Sequence, residues 1–425
     1  MQLIRYPEQK DWKTILQRPK ADYSLLFDKV NAILKEVMMN GDSAVKRYTK
    51  EFDKVAIDDL KVGDEEYAVA ETLINQPLKE AITQATQNIR AFHEKQIIPE
   101  PIVETMAGVT CWRRSIPIEK VGLYIPGGSA PLFSTLLMLG IPAKLAGCKE
   151  IIVCTPANSE GKVDVSILYV ASLLGIRNVY KIGGIQAIAA MAYGTETIPQ
   201  VYKIFGPGNQ FVTAAKQMVQ MHGTAIDMPA GPSEVCVFAD GSSNPAFIAS
   251  DLLAQAEHGT DSQAILVTCD VLLTEQVLQE INRQTGLLSR QHIVEKALAN
   301  SKAIIVNTVD EAIDMINEYA PEHLIISTKE PSLVEDRITN AGSVFLGHFS
   351  PEAVGDYASG TNHTLPTAGF AKAYSGVSVD SFVKKISFQQ ITQQGLANIA
   401  STVMKMAEAE GLDAHKNSVA IRLNS

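Results

Sequence analysis

The sequence has few cysteines, no surplus of basic residues and no long unbroken apolar run. Its five cysteines show no Cys-x-x-Cys spacing, which argues against a disulfide framework and favours reduced thiols in a cytoplasm. The formal net charge of -10 leaves no excess of Lys and Arg to neutralise phosphates, so we expect no nucleic acid and no membrane as partner. The longest apolar run, 130–147, is interrupted by Pro131, Pro142 and Lys144 and is too broken to span a bilayer. The first residues contain no apolar stretch typical of a secretory signal.

The composition that remains is typical of a large globular protein. With 425 residues, of which 46% are apolar and 20% charged, the chain can bury the cores of two or more domains. The first 100 residues are mostly helical in pattern, because apolar residues recur at helical spacing from Phe27 to Val37 and again over Leu78–His93. We interpret these segments as helices that form a packing layer.

From Val121 onward, short apolar strands alternate with helices, a pattern that indicates parallel sheets covered on both faces. The predicted strands are Val121–Ile125, Glu150–Thr155, Val179–Gly183, Val201–Phe205, Ser233–Phe238, Ala264–Thr268, Ala303–Val306, Leu324–Ser327 and Ser343–Leu346. The pattern restarts near Gly231. We therefore predict an α/β protein with two incomplete Rossmann-like domains plus small helical N- and C-terminal segments, the tail being helical from about Ile386.

Four polar segments interrupt this regular pattern. The longest, Gly355–Thr367, has neither helical nor strand periodicity, so it is predicted to be a loop that carries Asp356 and His363. The others are Gln255–His258, Pro321–His323 and Glu410–His415. Segments rich in His, Glu, Asp and Gln suggest one metal site with acid–base groups beside it.

Two of these segments have a predictable local geometry. A helix that begins at Asn244-Pro245 and ends at Gly259 would place Gln255 and His258 on one face of its last turn, where they could share a metal ion. A plain surface helix end is the alternative, and glutamine is an uncommon zinc ligand.

The pair Glu322 and His323 opens the next predicted strand. There His323 could take a proton from an alcohol and Glu322 could activate a water, provided that Pro321 turns the backbone. Two solvated polar residues at a strand start are the alternative.

Three predicted strands of the first α/β unit end in glycine-bearing turns. These turns are Tyr124–Gly128, Gly183–Gln186 and Phe205–Asn209. Glycine at the carboxyl end of a strand lets a ligand approach the backbone, and the following helix N-terminus favours phosphate, so a nucleotide crevice is predicted. Most of the cysteines, Cys154, Cys236 and Cys269, lie in or beside strands, which is typical of inert packing and opposes a nucleophilic thiol.

Taken in order, the motifs of this chain resemble those of the histidinol dehydrogenase family from about residue 20 to the C-terminus. The motifs are Val121-Gly-Leu-Tyr-Ile-Pro-Gly-Gly-Ser-Ala-Pro-Leu-Phe-Ser-Thr135, Phe205-Gly-Pro-Gly-Asn209, Asp227-Met-Pro-Ala-Gly-Pro-Ser-Glu234, Gln255-Ala-Glu-His-Gly259, Ala320-Pro-Glu-His-Leu324, Gly355-Asp-Tyr357 and Asn362-His-Thr-Leu-Pro-Thr367. The resemblance implies a zinc-dependent oxidation of L-histidinol to L-histidine, in which two hydrides pass in succession to two NAD molecules through a bound aldehyde.

The resemblance also implies a role for individual residues. Glu322 and His323 match the family's catalytic pair. The implied zinc ligands are Gln255, His258, Asp356 and His415, of which His415 would come from the partner subunit of a homodimer. The implied substrate contacts are Ser233, Gln255, His258, His323, Asp356, Glu410 and His415, and the implied NAD contacts are Tyr124, Gln186 and Asn209.

These expectations divide the chain into four parts. Residues 1–20 form an N-terminal segment, and residues 381–425 form a helical tail that supports dimerisation. Residues 21–120 and 233–380 form the α/β domain with the metal and catalytic residues, and residues 121–232 form the NAD-binding domain. Four rival functions stay open: a dehydrogenase of another amino alcohol, a thiol-dependent aldehyde dehydrogenase, a zinc hydrolase and a non-catalytic zinc-binding protein.

Overall fold

The apolar runs of the sequence form two parallel sheets, joined by a small antiparallel sheet, in a computed structural model that describes residues 1–19, 24–127 and 131–424. The strands are β1 Gln2–Arg5, β2 Val103–Met106, β3 Val109–Pro117, β4 Lys120–Tyr124, β5 Glu150–Thr155, β6 Asn178–Lys181, β7 Lys203–Phe205, β8 Ala225–Ile226, β9 Glu234–Ala239, β10 Gln263–Thr268, β11 Lys302–Ile305, β12 His323–Ser327, β13 Ser343–Leu346 and β14 Val383–Ile391. Every strand predicted from Val121 to Leu346 is thus confirmed.

Helices cover both parallel sheets. They are α1 Trp12–Ile15, α2 Ser24–Tyr48, α3 Asp64–Leu73, α4 Gln76–Glu94, α5 Phe133–Ala146, α6 Val165–Leu173, α7 Gly184–Tyr193, α8 Gln210–Met221, α9 Pro245–Ala256, α10 Val271–Thr285, α11 Gln291–Ala299, α12 Val309–Tyr319, α13 Ser332–Glu335, α14 Glu352–Tyr357, α15 Gln393–Ala409 and α16 Asp413–Leu423. Single helical turns of the 3₁₀ or π type occur at Gln9–Asp11, Thr49–Asp53, Phe370–Lys372 and Val379–Phe382.

The five-stranded sheet has the order β6-β5-β4-β7-β8 and is parallel throughout. Its strands are buried on both faces, as the continuous apolar runs predict. The six-stranded sheet has the order β1-β11-β10-β9-β12-β13 and is also parallel. The N-terminal segment is part of it, because β1 pairs with β11 at its edge.

The long helices of the first hundred residues pack on the five-stranded sheet rather than on the six-stranded one. Helix α2 contacts α7 and α8, α3 contacts α6, and α4 contacts α5. Their buried side chains, such as Val30 and Ile89, share cores with strands β4, β5 and β6. This differs from the division in which residues 21–120 belong with residues 233–380, because helical periodicity identifies a buried face and not the sheet that it covers. The boundary between residues 20 and 21 lies outside the described residues.

The tail begins with a strand, so the prediction of a helix from about Ile386 is wrong for its first residues. Strand β14 pairs antiparallel with β3, which pairs in turn with β2. Stacking of Phe388 on Trp112, with ring centroids 5.6 Å apart, stabilises the pairing. Only at Gln393 does the chain enter the predicted helix, whose N-cap is Thr392.

After this strand, α15 and α16 form a helical hairpin that packs chiefly on itself. Gly411 adopts a left-handed conformation with φ of 72° in the connection. The hairpin exposes apolar side chains that include Met406, Leu412 and Ile421. Among the described residues, no helix has both the length and the hydropathy of a membrane span.

Candidate active site

The pair Glu322 and His323 lies at the amino end of the six-stranded sheet. His323 is the first residue of β12 and is paired in register with Val235 of the central strand β9. Both side chains are buried, at 6% and 4% exposure. Glu322 accepts a hydrogen bond from the backbone N–H of Glu234 at 2.9 Å. The two side chains therefore point into the protein together, as the sequence interpretation requires if the backbone turns at Pro321.

Three carboxylates surround the imidazole of His323. Its Nδ1 lies 3.7 Å from Glu322 Oε2 and 3.7 Å from Glu352 Oε1, and its Nε2 lies 3.5 Å from Asp356 Oδ1. The Nδ1 also lies 3.4 Å from the carbonyl oxygen of Glu234. An imidazole held among acceptors in this way is suited to take a proton.

The charges in this cluster shift its proton affinities. Burial raises the pKa of Glu322 to about 8. Burial disfavours the imidazolium of His323, but the carboxylates of Glu352, Glu322 and Asp356 outweigh it and raise the pKa of His323 to about 10. Burial also acts to raise the pKa of Asp356, yet the facing imidazole of His323 holds that pKa below its ordinary value. Shifted acid and base groups gathered at one place are typical of an active site.

Helices α9 and α14 bring the predicted metal ligands to this cluster. Helix α9 starts with Asn244 as its N-cap, as predicted, but ends at Ala256, so His258 lies just beyond it rather than in its last turn. Gln255 is fully buried, whereas His258 is exposed at the mouth of the site. The predicted loop Gly355–Thr367 begins with helical residues, because α14 extends to Tyr357 and carries Asp356.

The arrangement of these groups fits a metal ion. One ligand atom each from His258, Glu352 and Asp356 lies within 4.8 Å of the other two. Oδ1 of Asp356 is buried and, apart from the approach of His323 Nε2 at 3.5 Å, has no hydrogen-bond partner. Imidazole and carboxylate donors of this kind bind zinc.

The amide of Gln255 lies between Glu352 and the backbone of Glu234. Hydrogen bonding favours the orientation in which the amide nitrogen donates to the Glu352 carboxylate and the amide oxygen accepts the N–H of Glu234 at 2.7 Å. The opposite orientation sets the amide oxygen against that carboxylate, a group of acceptors that a cation would stabilise.

The remaining predicted substrate contacts are not gathered at the cluster within one chain. Ser233 precedes β9 and lies next to Glu234, whose backbone contacts the catalytic pair. Glu410 caps the end of α15, and His415 lies on α16, and both are exposed on the tail hairpin. His363 contacts the carbonyl of Asp356 through Nδ1 at 2.8 Å and Thr135 through Nε2 at 3.3 Å, so it connects α14 to α5.

A cavity of about 600 Å³ opens at the carboxyl ends of β4 and β5, between the starts of α7 and α8. Its volume is typical of small-molecule and cofactor sites. Lining residues include Asp53, Tyr124, Thr155, Gly184 and Asn209. This is the edge of the sheet at which the glycine-bearing turns predict a nucleotide crevice, although Gly128 lies outside the described residues.

The predicted NAD contacts occupy different depths around this cavity. The hydroxyl of Tyr124 accepts the N–H of Gly184 at 3.1 Å, and Asn209 caps α8 by accepting two backbone N–H groups. Gln186 is fully buried and donates to Asp53, a lining residue, at 3.4 Å, while its Oε1 has no partner. Tyr124 and Asn209 therefore line the cavity, and Gln186 reaches it through Asp53.

A buried ion pair shapes the Gly-Pro-Gly turn beside the cavity. Lys216 Nζ lies 2.5 Å from Asp227 Oδ1 and donates to the carbonyl of Gly206 at 2.7 Å. Asp227 accepts the N–H of Gly206 at 2.7 Å. Gly206 has a φ of 122°, and a Cβ there would lie 2.1 Å from the carbonyl oxygen of Tyr124. Only glycine fits this approach of β7 to β4.

Sequence reasoning did not identify Glu352, Glu234 or Arg18, although all three contact or support the cluster. Glu352 lies four residues before Asp356 on α14, a spacing that would have placed both carboxylates on one helical face. The interpretation of this region as a loop concealed that signal. Glu234 closes the motif Asp227–Glu234, but the motif gave it no role, and no local pattern distinguishes Arg18.

Two of the three strand cysteines are placed as the packing interpretation predicts, whereas Cys269 is exposed just after β10, with a thiol whose pKa is also raised by partial burial. Cys154 and Cys236 are fully buried in strands, and burial raises the pKa of both thiols. None of the three carboxylates around His323 contacts a thiol in the described hydrogen bonds. A thiolate nucleophile would need a lowered pKa, so the thiol-dependent alternative has no support.

Two parallel sheets, a cofactor-sized cavity at one of them and a buried acid–base pair at the other are the features of an α/β enzyme. The family model described as histidinol dehydrogenase matches residues 16–423. Histidinol dehydrogenase of Bacteroides thetaiotaomicron is 56% identical over 425 residues, which are 100% of this chain and 99% of that protein. The chain therefore belongs to the histidinol dehydrogenase family.

One solved structure agrees with this family assignment, and a second shares the fold alone. The crystal structure of histidinol dehydrogenase from Elizabethkingia anophelis is 52% identical, has a TM-score of 0.98, and the match covers 100% of this chain and 98% of that one. An acetylating aldehyde dehydrogenase from Geobacillus thermoglucosidasius shares the fold alone, at 14% identity and a TM-score of 0.50, over 89% of this chain and 96% of that one.

Proposed function

We propose that this protein catalyses the zinc-dependent, NAD-linked four-electron oxidation of L-histidinol to L-histidine, through a bound L-histidinaldehyde, in the last steps of histidine biosynthesis. Membership of the histidinol dehydrogenase family supports the substrate. The observation that carries the mechanism is the buried pair Glu322 and His323, which lies beside the cluster of His258, Glu352 and Asp356.

In this proposal Gln255, His258 and Asp356 of one chain hold zinc. When bound, zinc would supply positive charge that orients the imidazole and amino nitrogens of the substrate and balances the carboxylates around His323. Its fourth ligand is His415 of the partner subunit in a homodimer. The tail hairpin, whose apolar side chains such as Met406 and Ile421 are exposed among the described residues, supports this exchange.

The acid–base steps fall to the two adjacent residues. The positive charge of bound zinc would oppose the pull of the carboxylates and favour the neutral imidazole of His323. His323 then accepts the alcohol proton as the first hydride leaves for the nicotinamide. Glu322 then deprotonates a water molecule that adds to the aldehyde carbon, and a second hydride leaves from the hydrated aldehyde. The raised pKa of Glu322 suits a base that must take a proton near neutral pH.

The cofactor and substrate contacts complete the proposal. NAD binds the cavity of the five-stranded sheet, in the unit of residues 121–232, with Tyr124, Gln186 and Asn209 as contacts. Ser233 and Glu410 contact the substrate. A biosynthetic role and five free cysteines support a cytoplasmic location.

We expect the zinc-loaded protein to form two NADH for every L-histidinol consumed, because the alcohol carbon passes through the aldehyde to the acid. Absorbance of reduced nicotinamide, measured at limiting substrate together with the amount of histidine formed, gives this ratio. Simple primary alcohols serve as the control substrates.

Three results would contradict the proposal. A ratio of one NADH per L-histidinol would mean that the reaction stops at the aldehyde. Equal turnover of simple primary alcohols would show that the enzyme is not specific for histidinol. Full activity after zinc is removed by a chelator would contradict the role of the metal.

A further inference from the structure

The side chain of Arg18 connects the N-terminal segment to the start of the catalytic pair. Its guanidinium binds the Glu234 carboxylate through two hydrogen bonds, Nε to Oε1 at 2.7 Å and Nη2 to Oε2 at 2.7 Å. The same Nη2 reaches the carbonyls of Tyr319 at 2.6 Å and Ala320 at 3.3 Å. The guanidinium also lies over the Tyr319 ring, 4.1 Å from its centroid. Only the planar fork of arginine makes these contacts at once.

Arg18 binds the last two carbonyls of α12, and the backbone at this helix end has an unusual conformation. Ala320 is the C-cap of this helix and has φ of 52° and ψ of 67°, a left-handed conformation that a residue with a Cβ rarely adopts. Such a conformation persists only where surrounding contacts hold it. The next residues are Pro321, Glu322 and His323, so this bend sets the direction in which the catalytic pair leaves the helix.

On its other side, Arg18 holds the residue whose backbone contacts the catalytic pair. The N–H of Glu234 donates to Glu322 Oε2 at 2.9 Å, and the carbonyl of Glu234 lies 3.4 Å from His323 Nδ1. The carboxylate of Glu234, only 3% exposed, also accepts the backbone N–H of Ala368. One guanidinium thus connects the bend before the pair, the strand beside it and the loop after α14.

We propose that Arg18, acting through Glu234 and the bend at Ala320, is a positioning residue that fixes the carboxylate of Glu322 for attack of water on the aldehyde. The inference rests on the proposed function and adds a role for the first twenty residues. Arg18 makes no contact with the metal-ligand cluster among its described hydrogen bonds, so its effect falls on orientation and not on metal binding.

A purely structural ion pair is the plain alternative, since the buried Glu234 carboxylate requires a partner wherever it lies. The two explanations differ in what they predict. A structural pair affects stability and both half-reactions alike. A positioning residue affects mainly the step in which Glu322 acts, and its effect depends on the presence of the Glu322 carboxylate.

The test replaces Arg18→Lys in the full-length, zinc-loaded protein. Lysine keeps the positive charge that the Glu234 carboxylate needs but lacks the planar fork of arginine. Arg18→Met is less suitable, because an unpaired buried carboxylate would destabilise the fold. We expect the rate from histidinaldehyde to histidine to fall about 10- to 100-fold, because small misplacements of a reacting group have effects of this size. The KM for histidinol should stay within about 3-fold, because binding energy is unaffected.

The matched control is Arg283→Lys, which removes another Arg–carboxylate fork, to Glu280, on the solvent-facing side of helix α10. The same Arg18→Lys change is also made in Glu322→Gln protein. There the expected further loss is below about 2-fold, because residues that act as a unit are not additive.

Several outcomes would overturn the inference. The inference is wrong if Arg18→Lys protein equals Arg283→Lys protein in rate, if it loses zinc, or if the change causes the same fold loss again in the Glu322→Gln background. A lower Tm with both half-reactions slowed equally would indicate a structural pair. Absence of any histidinol-dependent NADH in the unmodified protein would instead contradict the proposed function itself.

Discussion

The Glu322→Gln protein is expected to make histidinaldehyde but to form histidine slowly. Glutamine keeps the shape of Glu322 and an oxygen that can accept the N–H of Glu234, which donates at 2.9 Å, but it cannot take a proton from water. Loss of a positioned base typically slows its step by about 10²- to 10⁴-fold. Rapid-quench measurement should therefore find one NADH formed quickly per site, followed by a slow second one.

The control for this experiment is Glu318→Gln, which alters an exposed carboxylate on α12 that pairs with Lys372. That protein should keep both phases. Equal slowing of the two phases in the Glu322→Gln protein would mean that Glu322 acts in both half-reactions, and the division of labour with His323 would then be wrong. Unchanged rates would remove Glu322 from the chemistry altogether.

The His258→Asn protein is expected to lose zinc and both half-reactions together. His258 contributes its imidazole to the group of ligand atoms within 4.8 Å, and asparagine cannot replace that nitrogen. Replacing even an outer partner of a ligand weakens metal binding about 10- to 100-fold, so loss of a direct ligand should exceed the upper value. Zinc content after dialysis, measured beside activity and Tm, tests this.

His292→Asn is the matched control, because His292 is an exposed histidine on α11. It should keep zinc and activity. The metal assignment would be contradicted if His258→Asn protein retained a full complement of zinc, or if it lost zinc and kept its rate. Because His258 lies exposed at the mouth of the site, the fold should survive the substitution and Tm without zinc should change little.

The strands could be predicted because buried parallel strands leave a local signal. Glu150–Thr155 and Ser343–Leu346 have the predicted bounds, and the other strands differ by one or two residues. Apolar runs between turn residues require no knowledge of distant contacts. Strand β14 lacks this signal, because its side chains are mostly exposed and its partner β3 is far away in sequence.

The general rule for ligand sites in parallel sheets locates the cavity but not the acid–base pair. Ligands of open parallel sheets bind at the carboxyl ends of strands, and the cavity at β4 and β5 follows this rule. The acid–base pair does not, since Glu322 and His323 lie at the amino end of β12. Helices α9 and α12 return to that edge with their C-termini, and this return brings Gln255 close to Glu234.

Residues that act through tertiary contacts could not be found from the sequence. Arg18 lies outside every motif, and Glu234, the last residue of the motif Asp227–Glu234, is 216 positions away from it, so no fixed spacing links the two. Glu352 required the recognition of a six-residue helix, which is too short to show a period. The predicted ligand His415 lies on an exposed hairpin, so its role depends on a second copy of the chain.

The central claim is that distant segments of two chains hold one zinc ion beside the Glu322 and His323 pair. The direct test is an anomalous difference map, recorded at the zinc edge from crystals of the zinc-loaded protein with histidinol. The account predicts one peak per chain, about 2.0–2.2 Å from Gln255, His258, Asp356 and His415 of the partner subunit. A peak bound by other residues, or a His415 that coordinates no metal, would contradict it.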